Sequence, residues 1–342
     1  MPKDQLPTLD IDKLDAYLSE AIPGFMGPIQ ASKFPGGQSN PTYRLKTPSR
    51  DYVLRRKPMG DLLKSAHAVD REYRVLQALA ATDVPVAAVY ALCEDDAVIG
   101  AMFYIMEFVD GDVFWDAALP EKNPQQRGAM YEAMSSLLAD LHSIDVAPIN
   151  LSDYGRPGNY FERQISRWTK QYRASETERI DAMDRLLVWL PEHLPEDDGQ
   201  TCLVHGDFRL DNIMFEPGQQ TVKALMDWEL STLGHPYADL SYQCMQLRLP
   251  PDCALPGLGG VDRSALGIPS EAAYVAAYCQ RRGIDRIPHW NVYLIFNLVR
   301  LAAILQGVKK RSLDGNASSD RANEMAKLIA PLADMAAELA NL

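Results

Sequence analysis

Asp207, Asn212 and Asp227 have the residue types and spacing of a reactive centre. The apolar pair Leu203-Val204 leads into His205-Gly206-Asp207. A polar loop follows as far as Asn212, and Ile213-Met214-Phe215 leaves it as a second apolar run. Ala224-Leu225-Met226 then runs into Asp227, fifteen residues after Asn212. A carboxylate at a strand–loop junction can orient a hydroxyl and accept its proton. An amide oxygen and a second, strand-end carboxylate are the hard oxygen ligands that Mg2+ prefers. The set suits phosphoryl transfer to an alcohol, where positioning and charge neutralisation carry most of the catalysis. His205 fits a supporting role for the loop backbone. A His/Asp hydrolase would call for a GxSxG or reactive-cysteine context, and none accompanies it.

Such chemistry also needs groups that hold the phosphates, and the first hundred residues offer candidates. Ile29 to Phe34, Thr42 to Leu45 and Tyr52 to Arg56 read as three strands, with Pro35-Gly36-Gly37-Gln38-Ser39-Asn40 joining the first two. That turn could set backbone N–H groups of Gly36 and Gly37, and the small side chains of Ser39 and Asn40, against phosphate. It is not GxGxxG, and a Gly-Gly hairpin often binds nothing. On the third strand Val53, Arg55 and Lys57 share one face, so Arg55 can supply a phosphate-contacting cation; the bland alternative is a solvated basic edge. Ser65 to Ala81 has helical periodicity through Val69, Tyr73, Leu76 and Leu79. Glu72 on that helix is the natural carboxylate for a strand cation. Pro85 to Cys93 and Met102 to Phe108 read as two further strands. Backbone groups near Glu107 and Val109 could meet an adenine edge, although side chains do not encode backbone contacts.

The elements that must carry these residues divide the chain. Leu9 to Ile22 reads as an amphipathic helix with Leu14, Tyr17 and Leu18 on one face. Beyond Pro124 the character turns helical: Gln125 to His142, Asn159 to Tyr172, and Thr177 to Leu190, the last ended by Pro191. His142 reads as a partner of its helix's C-terminal dipole. Ala238 to Met245 begins a helix with Asp239 in its first turn, and Pro250 to Gly267 is an irregular insertion. Glu271 to Arg282, Trp290 to Arg311 and Asp320 to Asn341 close the chain.

Bulk properties set the outer bounds. A length of 342 residues suits two lobes better than one small core. With 47% apolar and 23% charged residues the composition is that of a globular protein. The net charge of −12 and the lack of a basic run argue against nucleic acid as a partner. The five cysteines form no CxxC pair, and reduced thiols in a cytoplasmic protein are expected. The N-terminus has no signal-peptide h-region and no run of eighteen apolar residues occurs, so no membrane span is expected. The sequence does not give the oligomeric state.

With those residues in view, the chain resembles the aminoglycoside phosphotransferase (APH) superfamily of small-molecule kinases, and within it the branch that also occurs fused to acyl-CoA dehydrogenases. The likeness runs over roughly residues 25 to 310. It rests on Phe34-Pro35-Gly36-Gly37-Gln38-Ser39-Asn40, Tyr52-Val53-Leu54-Arg55-Arg56-Lys57-Pro58, Arg71-Glu72-Tyr73, His205-Gly206-Asp207 through Asn212, Asp227-Trp228-Glu229, Asp239-Leu240 and Arg300-Leu301-Ala302. The resemblance implies an α+β, two-lobed protein-kinase-like fold, with a small antiparallel β-sheet N-lobe over residues 1–109 and a mainly helical C-lobe over residues 110–342. It implies ATP and Mg2+ as cofactors. Asp207 would be the catalytic base and Asn212 and Asp227 the metal ligands. Gly36, Gly37, Ser39, Asn40, Arg55, Glu72, Glu107 and Val109 would form the nucleotide site, and Asp239 would brace the catalytic loop. The family's usual strand lysine is Arg55 here, and the two are not interchangeable.

The expected partner is a hydroxylated small molecule. Aminoglycosides are polycations, whereas the presumed acceptor region mixes Arg163, Arg167, Arg173, Arg179, Arg281, Arg282 and Arg300 with aromatics. An anionic or amphipathic acceptor, such as a hydroxy acid or hydroxyacyl compound, suits it better. The competing reading is a nucleotide-binding pseudokinase scaffold. A protein kinase is disfavoured by the short stretch after Asp227 and the lack of an Ala-Pro-Glu segment.

Overall fold

The computed structural model describes residues 9–34, 40–59, 68–314 and 319–342, with the side chains of 319–321 outside the description. The chain forms two compact units. The first comprises residues up to Asp112 together with Ile149–Leu151 and Ile213–Leu230, and the second comprises the remainder.

In the first unit Asp10 caps α1 (Ile11–Ala21) by accepting the Lys13 N–H at 3.2 Å. Strands β1 (Gln30–Lys33), β2 (Thr42–Lys46), β3 (Asp51–Arg56), β4 (Val89–Cys93) and β5 (Phe103–Glu107) form one sheet, in the order β1-β2-β3-β5-β4. Every neighbouring pair is antiparallel. The two-residue side-chain period sorts β3: Tyr52 and Leu54 join Leu14 and Leu18 of α1 in the core, and Arg55 projects from the opposite face. Helix α2 (Val69–Leu79) buries Val69, Val75, Leu76 and Leu79, and buries Glu72 with them. A single turn, α3 (Asp96–Ile99), joins β4 to β5, and Asp112, in β6 (Asp112–Val113), closes the unit's main run. Strands β8 (Ile213–Phe215) and β9 (Val222–Leu225) form a hairpin. Residues 213–230 were expected with the helical half. They belong to the first unit because the Leu225 N–H donates to Pro85 O at 2.8 Å and the turn after β9 packs on α2.

The second unit is built round α10 (Trp290–Leu313), which packs on α5 (Tyr160–Ser175), α7 (Tyr237–Gln246) and α12 (Ile329–Ala340). It is long and apolar enough to cross a bilayer, but most of its apolar stretch is buried inside the protein, as in a core helix. Helix α4 (Pro124–Ser143) starts at a capping box, Asn123 and Gln126 each bonding the other's backbone N–H. Helix α6 (Asp181–His193) runs through Pro191, where a stop was expected. The proline lies in its last turn, so the missing N–H costs one bond near an end that frays anyway. Helices α8 (Arg263–Leu266) and α9 (Glu271–Arg282) follow, and the closing helix expected as one piece is two, α11 (Ser319–Ala326) and α12. Two short strands, β7 (Cys202–Val204) and β10 (Thr232–Gly234), pair antiparallel.

Candidate active site

Each unit holds a charged centre built from the expected residues. In the first, Arg55 meets three carboxylates. Its Nε lies 2.7 Å from Glu72 Oε2, and its Nη2 lies 2.7 Å from Asp227 Oδ1 and 3.3 Å from Glu229 Oε2. Glu72 is 2% exposed and accepts two further bonds, from Asn40 Nδ2 at 2.7 Å and from the Tyr104 hydroxyl at 3.1 Å. One cation is shared among three acids. Burial, with Asp227 and Glu229 nearby, pushes the Glu72 carboxyl up to about 7 against the pull of Arg55. Asp227 follows β9 with φ +61°, a left-handed conformation that costs a non-glycine residue about 1 kcal/mol. Trp228, 2% exposed, pins that turn by donating its indole N–H to Leu225 O at 3.0 Å.

In the second unit β7 delivers the loop from His205 to Asn212. Asp239, 1% exposed on α7, holds the loop from behind: its Oδ2 accepts the His205 N–H at 2.6 Å and its Oδ1 the Gly206 N–H at 2.8 Å. Gly206 has φ +85°, and glycine tolerates this sharp bend. His142 Nε2 lies 3.3 Å from Asp239 Oδ2, and His142 Nδ1 lies 2.8 Å from the Tyr278 hydroxyl. These donors keep the Asp239 carboxyl below its usual range although burial opposes it, and burial keeps His142 below its own. His142 sits in the last turn of α4, where the helix-dipole role was expected, and it also supports the loop through Asp239. The loop faces outward through Asp207. Its Oδ1 accepts the Tyr242 hydroxyl at 2.7 Å and its Oδ2 accepts Asn212 Nδ2 at 3.0 Å. The same Asn212 Nδ2 lies 2.9 Å from Asp207 O. His205 Nδ1 takes the Asp207 N–H at 3.3 Å, consistent with a supporting role.

The remaining expectations divide. Gly36, Gly37 and Ser39 lie outside the described residues. Asn40 is 1% exposed, and its amide nitrogen donates to Glu72, the partner of Arg55. The Glu107 N–H donates to Ala88 O at 2.8 Å, and half-buried Val109 follows the end of β5. Tyr242 was not singled out from the sequence, and His142 and Glu229 were named there without these contacts. For Tyr242 the available signal was its position three residues after Asp239 on one helix.

The donor set also answers which metal would fit. Among the described residues no group of three or more His, Cys, Asp or Glu side chains forms a metal site. Asn212 commits its Nδ2 to Asp207, which turns its Oδ1 away from that bond. Asp227 has one oxygen on Arg55. An amide oxygen and a carboxylate oxygen are suitable donors for Mg2+, which keeps several waters of its own.

Residues 30–292 match the model of the phosphotransferase enzyme family, APH. The chain is 50% identical to a Ralstonia eutropha JMP134 protein of known structure, provisionally designated an aminoglycoside phosphotransferase, with a TM-score of 0.90 over 98% of this chain and 99% of that one. It is 47% identical over 331 residues to mouse acyl-CoA dehydrogenase family member 10, covering 96% of this chain but only 31% of the mouse protein. It thus spans about a third of that relative. A thermostable mutant of aminoglycoside phosphotransferase APH(4)-Ia, solved with AMP-PNP and hygromycin B, shares the fold at a TM-score of 0.63 and 15% identity, over 96% of this chain and 99% of the other.

Proposed function

The chain belongs to the phosphotransferase enzyme family, with an alcohol group as acceptor, and we propose that it moves the γ-phosphoryl group of ATP, with Mg2+, onto a small anionic or amphipathic hydroxyl compound. The observation that carries this reading is the presentation of Asp207. A buried helix fixes the loop's backbone from behind, and two donors on opposite oxygens hold the carboxylate itself. Asp207 orients the acceptor hydroxyl and takes its proton as the bond to phosphorus forms. Asn212 and Asp227 would hold Mg2+, which when bound neutralises charge on the phosphates. Glu72 aims Arg55, whose fork of donors can exchange carboxylate oxygens for phosphate oxygens.

The acceptor's sign follows from which arginines have acidic partners. Arg173 pairs with Asp184, Arg179 with Asp181, and Arg281 with Glu132, while Arg282 bonds Ser143. Among the described residues Arg163 and Arg167 have no carboxylate partner: Arg163 donates to the carbonyls of Pro157 and Arg156, and Arg167 lies over Trp168. With Arg156 and Lys170 they line a groove of about 1000 Å³ in which these four cations outnumber the two acids, Glu162 and Asp197. The Arg300 guanidinium carbon sits 5.9 Å from the centroid of that same Trp168 and 5.4 Å from that of Tyr242, the residue that bonds Asp207. Cations therefore run from the groove toward the reacting carboxylate. This favours a hydroxy acid or a hydroxyacyl thioester over a polycation.

The test is transfer of label from γ-labelled ATP across an aminoglycoside, a hydroxy acid and a hydroxyacyl-CoA. The anionic acceptors should be labelled, and Asp207→Ala should lower the rate by about 10²–10⁴-fold. Asp207→Ala working at the parental rate would remove Asp207 from its role. The direct bond between Arg55 and Asp227 favours a second reading, a nucleotide-binding scaffold in which the cation is not free for phosphate. A thermal shift with ATP, together with no transfer to any alcohol, would select it.

A further inference from the structure

Asp207 is contacted by a group outside the pattern of Asp207, Asn212 and Asp227. Tyr242, 8% exposed on α7, donates its hydroxyl to Asp207 Oδ1 at 2.7 Å. We propose that Tyr242 is a positioning residue for phosphoryl transfer: with Asn212 it fixes the plane of the Asp207 carboxylate, and it acts through that carboxylate without touching the acceptor. The inference rests on the reading of Asp207 as the base.

The physical need is specific. The terminal torsion of an aspartate is broad and roughly two-fold, so packing alone does not set which lone pair faces a substrate. A donor on each oxygen does. Asn212 supplies one at 3.0 Å and Tyr242 the other; Arg209 Nε adds an ion pair at 3.6 Å on Oδ2, the oxygen Asn212 already holds, so Oδ1 depends on Tyr242. The phenol is suited to the task because burial, with Asp207 alongside, drives its pKa far above the ordinary tyrosine value, so it remains a donor across the working pH range.

The ring is held in turn. Arg300 lies over it and donates Nη2 to Gly206 O at 2.8 Å. Asn297, one turn earlier on α10, donates to Ala238 O at 3.0 Å and Ser241 Oγ at 2.8 Å. Helix α10 thereby locks α7, and α7 uses two positions three residues apart: Asp239 for the loop's backbone and Tyr242 for its carboxylate. One face of one helix sets both the height and the rotation of the reacting group.

Tyr242→Phe keeps the ring and its burial and removes only the donor. Because the acceptor is unidentified, the first probe is water: hydrolysis of ATP with Mg2+ and no added alcohol. Turnover should fall about tenfold or more while the KM for ATP stays within about twofold. In the Asp207→Asn background the same substitution should cost nothing further, since the group through which it acts is already gone. A crystal structure of Tyr242→Phe should show the Asp207 carboxylate turned out of its present plane. Unchanged turnover, a loss that persists with Asp207→Asn, or a carboxylate still in place in the crystal would each overturn the role of Tyr242. If the parental protein neither hydrolyses ATP nor labels any acceptor, the phosphotransfer reading fails by itself, and the crystal structure still decides whether Tyr242 orients Asp207.

Discussion

The two charged centres use similar side chains in opposite ways. In the second unit one carboxylate, Asp239, faces several donors: two backbone N–H groups and His142, with Tyr278 behind the histidine. In the first unit one cation, Arg55, faces three carboxylates. An anion among many donors is stable in its low-dielectric site and has no reason to change partners. A cation among competing anions leaves excess negative charge, a strained turn at Asp227, and a Glu72 that ionises reluctantly. The first arrangement holds the loop that carries Asp207, and the second leaves Arg55 among carboxylates that compete for it.

The largest expected effect tests the rigid centre. Asp239→Ala strands two loop N–H groups and His142 in a buried setting, and should cost about 3–5 kcal/mol in urea unfolding. Glu229→Gln, at a partly exposed carboxylate that is one of three on Arg55, should cost under about 1 kcal/mol. Equal costs would break the contrast between the centres.

An intermediate effect tests the contested centre. Arg55→Met should lower kcat/KM for ATP by about 10–100-fold, the worth of charged hydrogen bonds to phosphate. Its cost in folding stability should be small, because Glu72, already near 7, takes up a proton and avoids standing as an unpaired buried charge. A variant that unfolds while the remaining folded fraction uses ATP normally would reverse the assignment of roles.

What the sequence made legible follows the same division. Strand-end positions such as Asp207 and Asp227 could be read because apolar runs point straight at them, and Arg55 with Glu72 because strand and helix periodicities both turn inward there. Tyr242 and His142 sit at positions whose spacing also fits plain core packing. Their use depends on α7 and α4 meeting the loop, which no local pattern records. Asn40 reads as part of a phosphate turn because small polar residues follow glycines there; its bond to Glu72 could not be read locally. The Glu107 N–H is a backbone group, and its bond to Ala88 O is one that side-chain identity does not reveal. Pro191 misled because a proline stops a helix only where the lost N–H matters.

The smallest effect gives the two centres opposite signs with pH. Burial lowers the pKa of His142, which faces Asp239, Tyr278 and Arg282, and of His235, which faces Asp198, Asp197 and Tyr237. Below the unfolded value of about 6.5 the unfolded chain binds protons that these two buried rings do not. Their contribution is therefore complete above about 6.5 and declines as the pH falls, by at most about 1.4 kcal/mol per pH unit for each ring. Glu72 runs the other way. Its folded value of about 7 lies above the unfolded one, so between those values acidification lets the folded protein take a proton that the unfolded chain refuses, and this adds stability. Asp239, held below its usual range, enters only under about pH 4. Urea midpoints should therefore fall gently from pH 7 to pH 5. Replacing both histidines with glutamine should flatten or invert the slope, and Glu72→Gln should steepen it. A slope that ignores Glu72→Gln would mean that Arg55 holds all three carboxylates ionised with ease, and the contrast between a settled centre and a contested one would lose its electrostatic basis.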